Sequence, residues 1–181
     1  MKNTHVLILP GWYDSGAAHW QSLWEAKYGY VRVHQHDWER PLRGDWQIQL
    51  EEAVLACDEP AVLVAHSLGC ILVAAWAAHT RNAHRVKGAL LVAPGDAERD
   101  EIRGQLPSWS PIARQRLPFA SILLGSRNDP YCRFERAQGL AADWGARFVD
   151  YGERGHINAD SNLGDWPEGQ AWLQELMQRP A

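Results

Sequence analysis

Apolar residues fall along the chain in short runs separated by longer stretches of helical spacing. The runs are His5–Leu9, Val31–His34, Ala61–His66, Gly88–Val92, Ser121–Leu124 and Arg147–Tyr151. Several are almost unbroken in Val, Leu, Ile and Ala, which marks strands covered on both faces rather than a half-wet antiparallel sheet. The intervening stretches predict helices. His19–Tyr28 carries Trp20, Leu23, Trp24 and Tyr28 on one face, and Trp46–Cys57 carries Trp46, Leu50, Val54 and Cys57. Ser67–His79 is apolar over much of its surface and reads as a central helix. Arg133–Trp144 and Glu168–Met177 follow. Strand and helix patterns in alternation predict βαβ units, hence about six mostly parallel strands flanked by helices in a three-layer α/β sandwich. Segment 97–118 breaks the pattern. It is polar, carries Pro107, Pro111 and Pro118, and reads as an irregular excursion with room for one short helix, too short for a lid domain.

No repeat, low-complexity tract or linker divides the chain, and its 181 residues suit one domain over 1–181. The net charge of -4 and the lack of any Lys/Arg run argue against a general nucleic-acid binder. No stretch approaches the roughly 20 apolar residues that span a bilayer. Val6 to Leu9 is stopped at once by Pro10-Gly11, so no secretion leader is expected. Cys57, Cys70 and Cys132 are odd in number and lack CxxC spacing, so neither a disulfide framework nor a metal is expected, and the chain reads as cytoplasmic and reduced. Most of the ten tryptophans are expected to fill the core.

The candidate chemistry begins at Leu63-Val64-Ala65-His66-Ser67-Leu68-Gly69-Cys70, where an apolar strand runs into a serine and then a helix. This is the nucleophile-elbow pattern of α/β-hydrolases, with Ala65 in place of the usual first glycine. Small residues two before and two after Ser67 let strand and helix approach closely. The alternative is that Ser67 only caps the helix. In this fold the acid and then the histidine follow the serine in chain order. Asp129 lies in a polar loop after Ser121–Leu124 and is the candidate acid. Its alternative role is an N-cap with Pro130 at the first helical position. Asp96, after the preceding strand, is the rival acid. His156 follows Arg147–Tyr151 between Gly155 and Ile157 and is the candidate base. His66 is a weak one, because neighbours on an elbow point differently. The backbone N–H groups of Trp12 and Leu68 are the expected oxyanion donors. Gly11, Trp38 and Trp109 are expected to line the substrate pocket.

Nine strings extend this pattern along the chain: PGW at 10–12, HW at 19–20, DWERP at 37–41, AHSLG at 65–69, LPF at 117–119, SRNDPYC at 126–132, AADWGARF at 141–148, GERGHIN at 152–158 and DWPEG at 165–169. With them the chain resembles, nearly end to end, the small serine hydrolases typified by retinoblastoma-binding protein 9 and the YdeN-like proteins. The resemblance implies a minimal α/β-hydrolase sheet without the first two strands of larger members, with Ser67, Asp129 and His156 on the family's triad positions. The expected activity is cleavage of esters, or amides, of small or medium acyl groups, with no cofactor. The alternatives are a catalytically idle hydrolase fold used as a binding module, and an acyltransferase. The string Leu55-Ala56-Cys57-Asp58-Glu59 is similar to the LxCxE motif of pocket-protein ligands. It falls at a helix end rather than on an extended strand, so it is not expected to bind a partner.

Overall fold

The computed structural model describes residues 5–179. In chain order the elements are β1 (Val6–Leu9), α1 (Trp20–Tyr28), β2 (Val31–Arg32), α2 (Arg43–Leu55), β3 (Ala61–Ser67), α3 (Leu68–Ala77), β4 (Val86–Pro94), α4 (Asp100–Arg103), β5 (Ala120–Gly125), α5 (Phe134–Trp144), β6 (Arg147–Asp150) and α6 (Pro167–Gln178). The six strands form one sheet in the order β2-β1-β3-β4-β5-β6, and every pairing is parallel. The parallel sheet flanked by helices that the chain pattern predicts is therefore present.

Two-residue alternation along each strand explains the layers. Leu7, Leu9, Leu63, Ala65, Ala89, Leu91 and Leu123 face one side, where α2, α3 and α5 pack through Leu50, Ile71, Leu140 and Trp144. Val6, Ile8, Val62, Val64, Leu90, Val92, Ile122 and Leu124 face the other, where α1 and α6 pack through Trp20, Trp24, Leu173 and Leu176. Both faces are dry, which is why these strands read as continuous apolar runs. Helix α3 is buried at every position from Leu68 to Trp76 and lies against the centre of the sheet.

The strand order reverses between β1 and β3. The chain winds from β1 out to β2, then returns to β3 and proceeds to β6. The carboxyl ends at such a reversal leave a crevice that suits ligands. The loop after β1 and the β3–α3 turn both open there. Close approach at this point depends on Gly69, where a Cβ would stand 2.4 Å from Leu9 O and 2.9 Å from Pro10 O. Segment 97–118 holds α4 and a single 3-10 turn at Pro107–Trp109.

The Gly69 contact predicts an asymmetric response to added methyl groups. Gly69→Ala should lower stability by about 2 kcal/mol, or roughly 4–8 °C in a thermal melt, because the atoms it meets are backbone. Gly44→Ala, at a helical position with nothing within 4 Å, should raise stability by up to about 1 kcal/mol. A Gly69→Ala melt that matches the native protein would contradict the close approach.

Candidate active site

Ser67 ends β3 with φ 54° and ψ -120°, a backbone that a non-glycine residue adopts only when its surroundings impose it. The β3–β4 register slips between His66 and Ser67, so that Ser67 pairs with Pro94. The Ser67 hydroxyl does not cap α3. Instead its Oγ lies 2.8 Å from His156 Nε2. Room above it comes from two glycines. A Cβ on Gly11 would stand 2.7 Å from Ser67 Cβ, and one on Gly95 would stand 3.1 Å from Ser67 Oγ. Leu68 opens α3, so its N–H has no acceptor within the helix.

The other nitrogen of His156, Nδ1, lies 2.9 Å and 3.0 Å from the two carboxylate oxygens of Asp129. The Asp129 side chain is only 2% exposed and that of His156 8%. Asp129 also accepts the Tyr131 N–H at 2.8 Å. Helix α5 begins only at Phe134, so Asp129 is not its N-cap and Pro130 is not its first residue. Asp96 points elsewhere: its carboxylate takes the Arg136 guanidinium at 3.3 Å and the Glu98 N–H at 3.2 Å. Ser67, His156 and Asp129 thus converge, from the ends of β3, β6 and β5.

Two loops must be held in register for this to happen, and side chains do the holding. Ser126 Oγ accepts the Arg154 N–H at 2.9 Å and donates to Asn128 Oδ1 at 3.0 Å. Asn128 Oδ1 in turn accepts the Gly155 N–H at 2.7 Å. Ser126 and Asn128 escaped sequence reasoning, although their spacing with Asp129 in one short polar loop was a usable signal. The far side of the histidine loop is pinned by Trp20 Nε1, which donates to Ile157 O at 2.8 Å.

Three imidazoles pack against one another, edge-on or tilted, in the same cleft as the serine. His66 Nε2 donates to the backbone carbonyl of His156 at 2.8 Å. Its ring centroid lies 4.8 Å from that of His156 and 4.7 Å from that of His19. His66 therefore braces the loop that carries His156. His19 caps α1, its Nδ1 accepting the Gln21 N–H at 3.1 Å. Burial, then the neighbouring His156 and Arg32, pushes His19 down to about 3. Burial, then His19 and His156, also holds His66 well below the usual imidazole range. Both rings are therefore neutral.

A cleft of about 560 Å³ opens over Ser67. Trp12, Tyr13, Ile102, Leu106 and Tyr131 give it apolar lining, and His19, His66 and His156 line it together with Ser67. Gly11 and Trp12 lie on it, but Trp38 and Trp109 do not. Trp109 is fully buried, donates to Pro41 O at 2.9 Å and packs edge-on against Trp46 at 5.2 Å. Trp38 packs against the same ring at 5.3 Å. Trp109 turns into the core beneath α2 because that buries its large ring, and Trp38 lies half-buried against the same cluster. The wall they were expected to form comes from segment 97–106, which loop composition alone did not reveal.

The cysteines are free and buried, and burial pushes the Cys132 thiol up to about 12 and Cys70 further, so neither competes as a nucleophile. Cys57 is buried just beyond α2, while Leu55 at the helix end is exposed. Among the described residues, no group of three or more His, Cys, Asp or Glu is placed to hold a metal, and no helix is long and apolar enough to cross a membrane.

Residues 6–175 match the family described as serine hydrolase. No curated protein matches the chain. Among solved structures, a putative YdeN-like hydrolase from Pectobacterium atrosepticum is 30% identical, with a TM-score of 0.83 over 96% of this chain and 90% of that one. The ydeN gene product of B. subtilis is 19% identical, with a TM-score of 0.77 over 98% and 100%. A thermophilic esterase from Thermogutta terrifontis, 14% identical, has a TM-score of 0.66 over 97% and 91%. The last two are similar in fold.

The neutral histidines predict acid sensitivity of a definite sign. His19 titrates near 6.5 when unfolded and about 3 when folded, so falling pH protonates the unfolded chain first. Its contribution is complete above 6.5 and is lost through the window down to 3, at about 1.4 kcal/mol per pH unit. His66 acts in the same direction. Denaturant melts between pH 7 and 4.5 should show the native protein losing stability relative to His19→Asn. A constant difference between the two would contradict this.

Proposed function

The chain belongs to the serine hydrolase family, and on that premise we propose that it cleaves carboxylic esters, and by the same chemistry amides, of small or medium acyl groups through Ser67, His156 and Asp129. The observation that carries this reading is the pair of contacts on one buried imidazole: 2.8 Å to Ser67 Oγ on one side and 2.9 Å to the Asp129 carboxylate on the other. A serine hydroxyl alone is a poor nucleophile at neutral pH. It becomes a good one when an oriented base takes its proton as the bond to carbon forms.

In the proposed cycle, Ser67 Oγ attacks the substrate carbonyl while its proton passes to His156 Nε2. Asp129 holds the tautomer with the proton on Nδ1 and stabilises the imidazolium. The carbonyl oxygen becomes negative and is met by the N–H groups of Trp12 and Leu68, each donor of this kind contributing about 10²–10³ in rate. Collapse breaks the carbon–oxygen bond, and the leaving alcohol takes the proton from His156. Water, deprotonated by the same nitrogen, then attacks the acyl-enzyme, and collapse breaks the bond to Ser67 Oγ, which takes the proton back from His156 as the acid leaves. The cleft supports small to medium substrates, since about 560 Å³ lies well inside the range of small-molecule sites.

A fluorophosphonate probe tests the nucleophile. The native protein should be labelled on Ser67, and Ser67→Ala should not react. Asp129→Asn should retain the fold but lose about 10⁴ in kcat on an activated ester. Labelling that persists in Ser67→Ala would overturn the assignment.

A further inference from the structure

Six buried side-chain nitrogens and oxygens lack a hydrogen-bond partner among the described residues, and of these only His19 Nε2 belongs to a residue lining the cleft. His19 is 5% exposed. Its Nδ1 is committed as the acceptor for the Gln21 N–H, so Nε2 carries the proton and is a donor without an acceptor. His66, the ring beside it, has the opposite deficit. Its Nε2–H is spent on His156 O, which leaves Nδ1 as an acceptor that no described donor reaches. An unpartnered donor on His19 and an unpartnered acceptor on His66 therefore belong to two residues that line the cleft, on rings 4.7 Å apart, with the His66 ring 4.8 Å from that of the base.

We propose that His19 and His66 form a subsite for a hydroxyl group carried by the substrate near its scissile bond. Only a group that both accepts and donates satisfies the two rings at once. A hydroxyl does so, whereas a carbonyl, an ether or a carboxylate answers His19 alone and an ammonium answers His66 alone. The rings are neutral, so nothing in the pair favours an anion. The substrate class is then the hydroxylated esters, with the hydroxyl on the alcohol part, as in a partial ester of a polyol, or on the acyl part, as in a hydroxyacyl ester. This inference rests on the ester-cleaving reading for the word substrate, but the binding preference stands on the two rings alone.

The test compares three esters of matched size: propyl butyrate, glycerol 1-monobutyrate and propyl 3-hydroxybutyrate. Dissociation constants are measured by calorimetry on Ser67→Ala, and kcat/KM on the native protein. One of the hydroxylated esters should bind about ten-fold tighter than propyl butyrate, and which one tells whether the hydroxyl sits on the alcohol or the acyl side. Adding His19→Asn keeps a side-chain acceptor for the helix cap but, with a shorter side chain, leaves no donor at the position of Nε2, and should reduce that ratio to about two-fold or less. His66→Leu deletes the acceptor, and the ratio, taken within that variant so that any loss of the His156 brace affects all three esters alike, should fall likewise. Equal binding of all three esters, or a preference that survives both variants, overturns the subsite and leaves the pair as the seat of a water. If the native protein turns over none of the esters while the binding preference persists, the subsite stands and the ester-cleaving reading fails. If all three are turned over through Ser67 with no preference, the reverse holds.

Discussion

Strand β3 has to become helix α3 within one residue, and that residue is a serine. The φ of 54° at Ser67 carries a conformational cost of order 1–3 kcal/mol, and the surrounding packing offsets it. That packing is specific. The strand before Ser67 is buried on both faces, the helix after it is buried at every position to Trp76, and Gly69 lets the helix sit against the backbone of β1. With both sides immobile, the turn has one shape, and the hydroxyl is pushed into the crevice where the strand order reverses. The same turn puts the Leu68 N–H at the start of α3 with no partner inside the helix.

A single aimed hydroxyl would be inert without an imidazole at a fixed distance, and His156 is held by three independent restraints. Its ring is tied to Asp129, its carbonyl to His66, and the carbonyl of the next residue to Trp20. The loop carrying it is also laced to the Asp129 loop through Ser126 and Asn128. A loop bearing glycines at 152 and 155 is thus converted into a rigid mount. Pre-set geometry of this kind lowers a barrier because orientation is established before the substrate arrives. The neutral pair His19 and His66 costs acid stability in return, since both rings are held where protonation is unfavourable.

Much of this was legible because parallel strands covered on both faces leave an unmistakable apolar run. All six strands lie where the runs fall, although β2 is only two residues long and the His5–Leu9 run starts at Val6. The strand-to-helix turn at Ser67 was legible because its residue types follow from a steric demand, and the approach of Asp129 and His156 to it because strand ends and chain order restrict where neighbours can sit. Side-chain direction was not legible. Trp38 and Trp109 sit in loops near the cleft, yet their rings pack against Trp46 of α2, and nothing in loop position reveals which way a tryptophan rotates. His19 was hidden for a related reason. The chain pattern places it only as the first residue of a helix, and that it caps α1 and faces His66 depends on packing between α1 and β3. Segment 97–106 lacks periodicity, so its role as a cleft wall was invisible until its path was known.

The claim at the centre is that the charge developing on a substrate oxygen meets the Trp12 and Leu68 N–H groups while His156 faces the bond being made at Ser67. A crystal structure of the protein inactivated by a small alkyl phosphonate places all of these atoms in one view. If the elbow works as proposed, phosphorus is bonded to Ser67 Oγ, the phosphoryl oxygen lies within hydrogen-bond distance of both backbone nitrogens, and His156 Nε2 stays on the opposite side next to Asp129. Phosphorus on another side chain, or a phosphoryl oxygen directed away from both nitrogens, would contradict it.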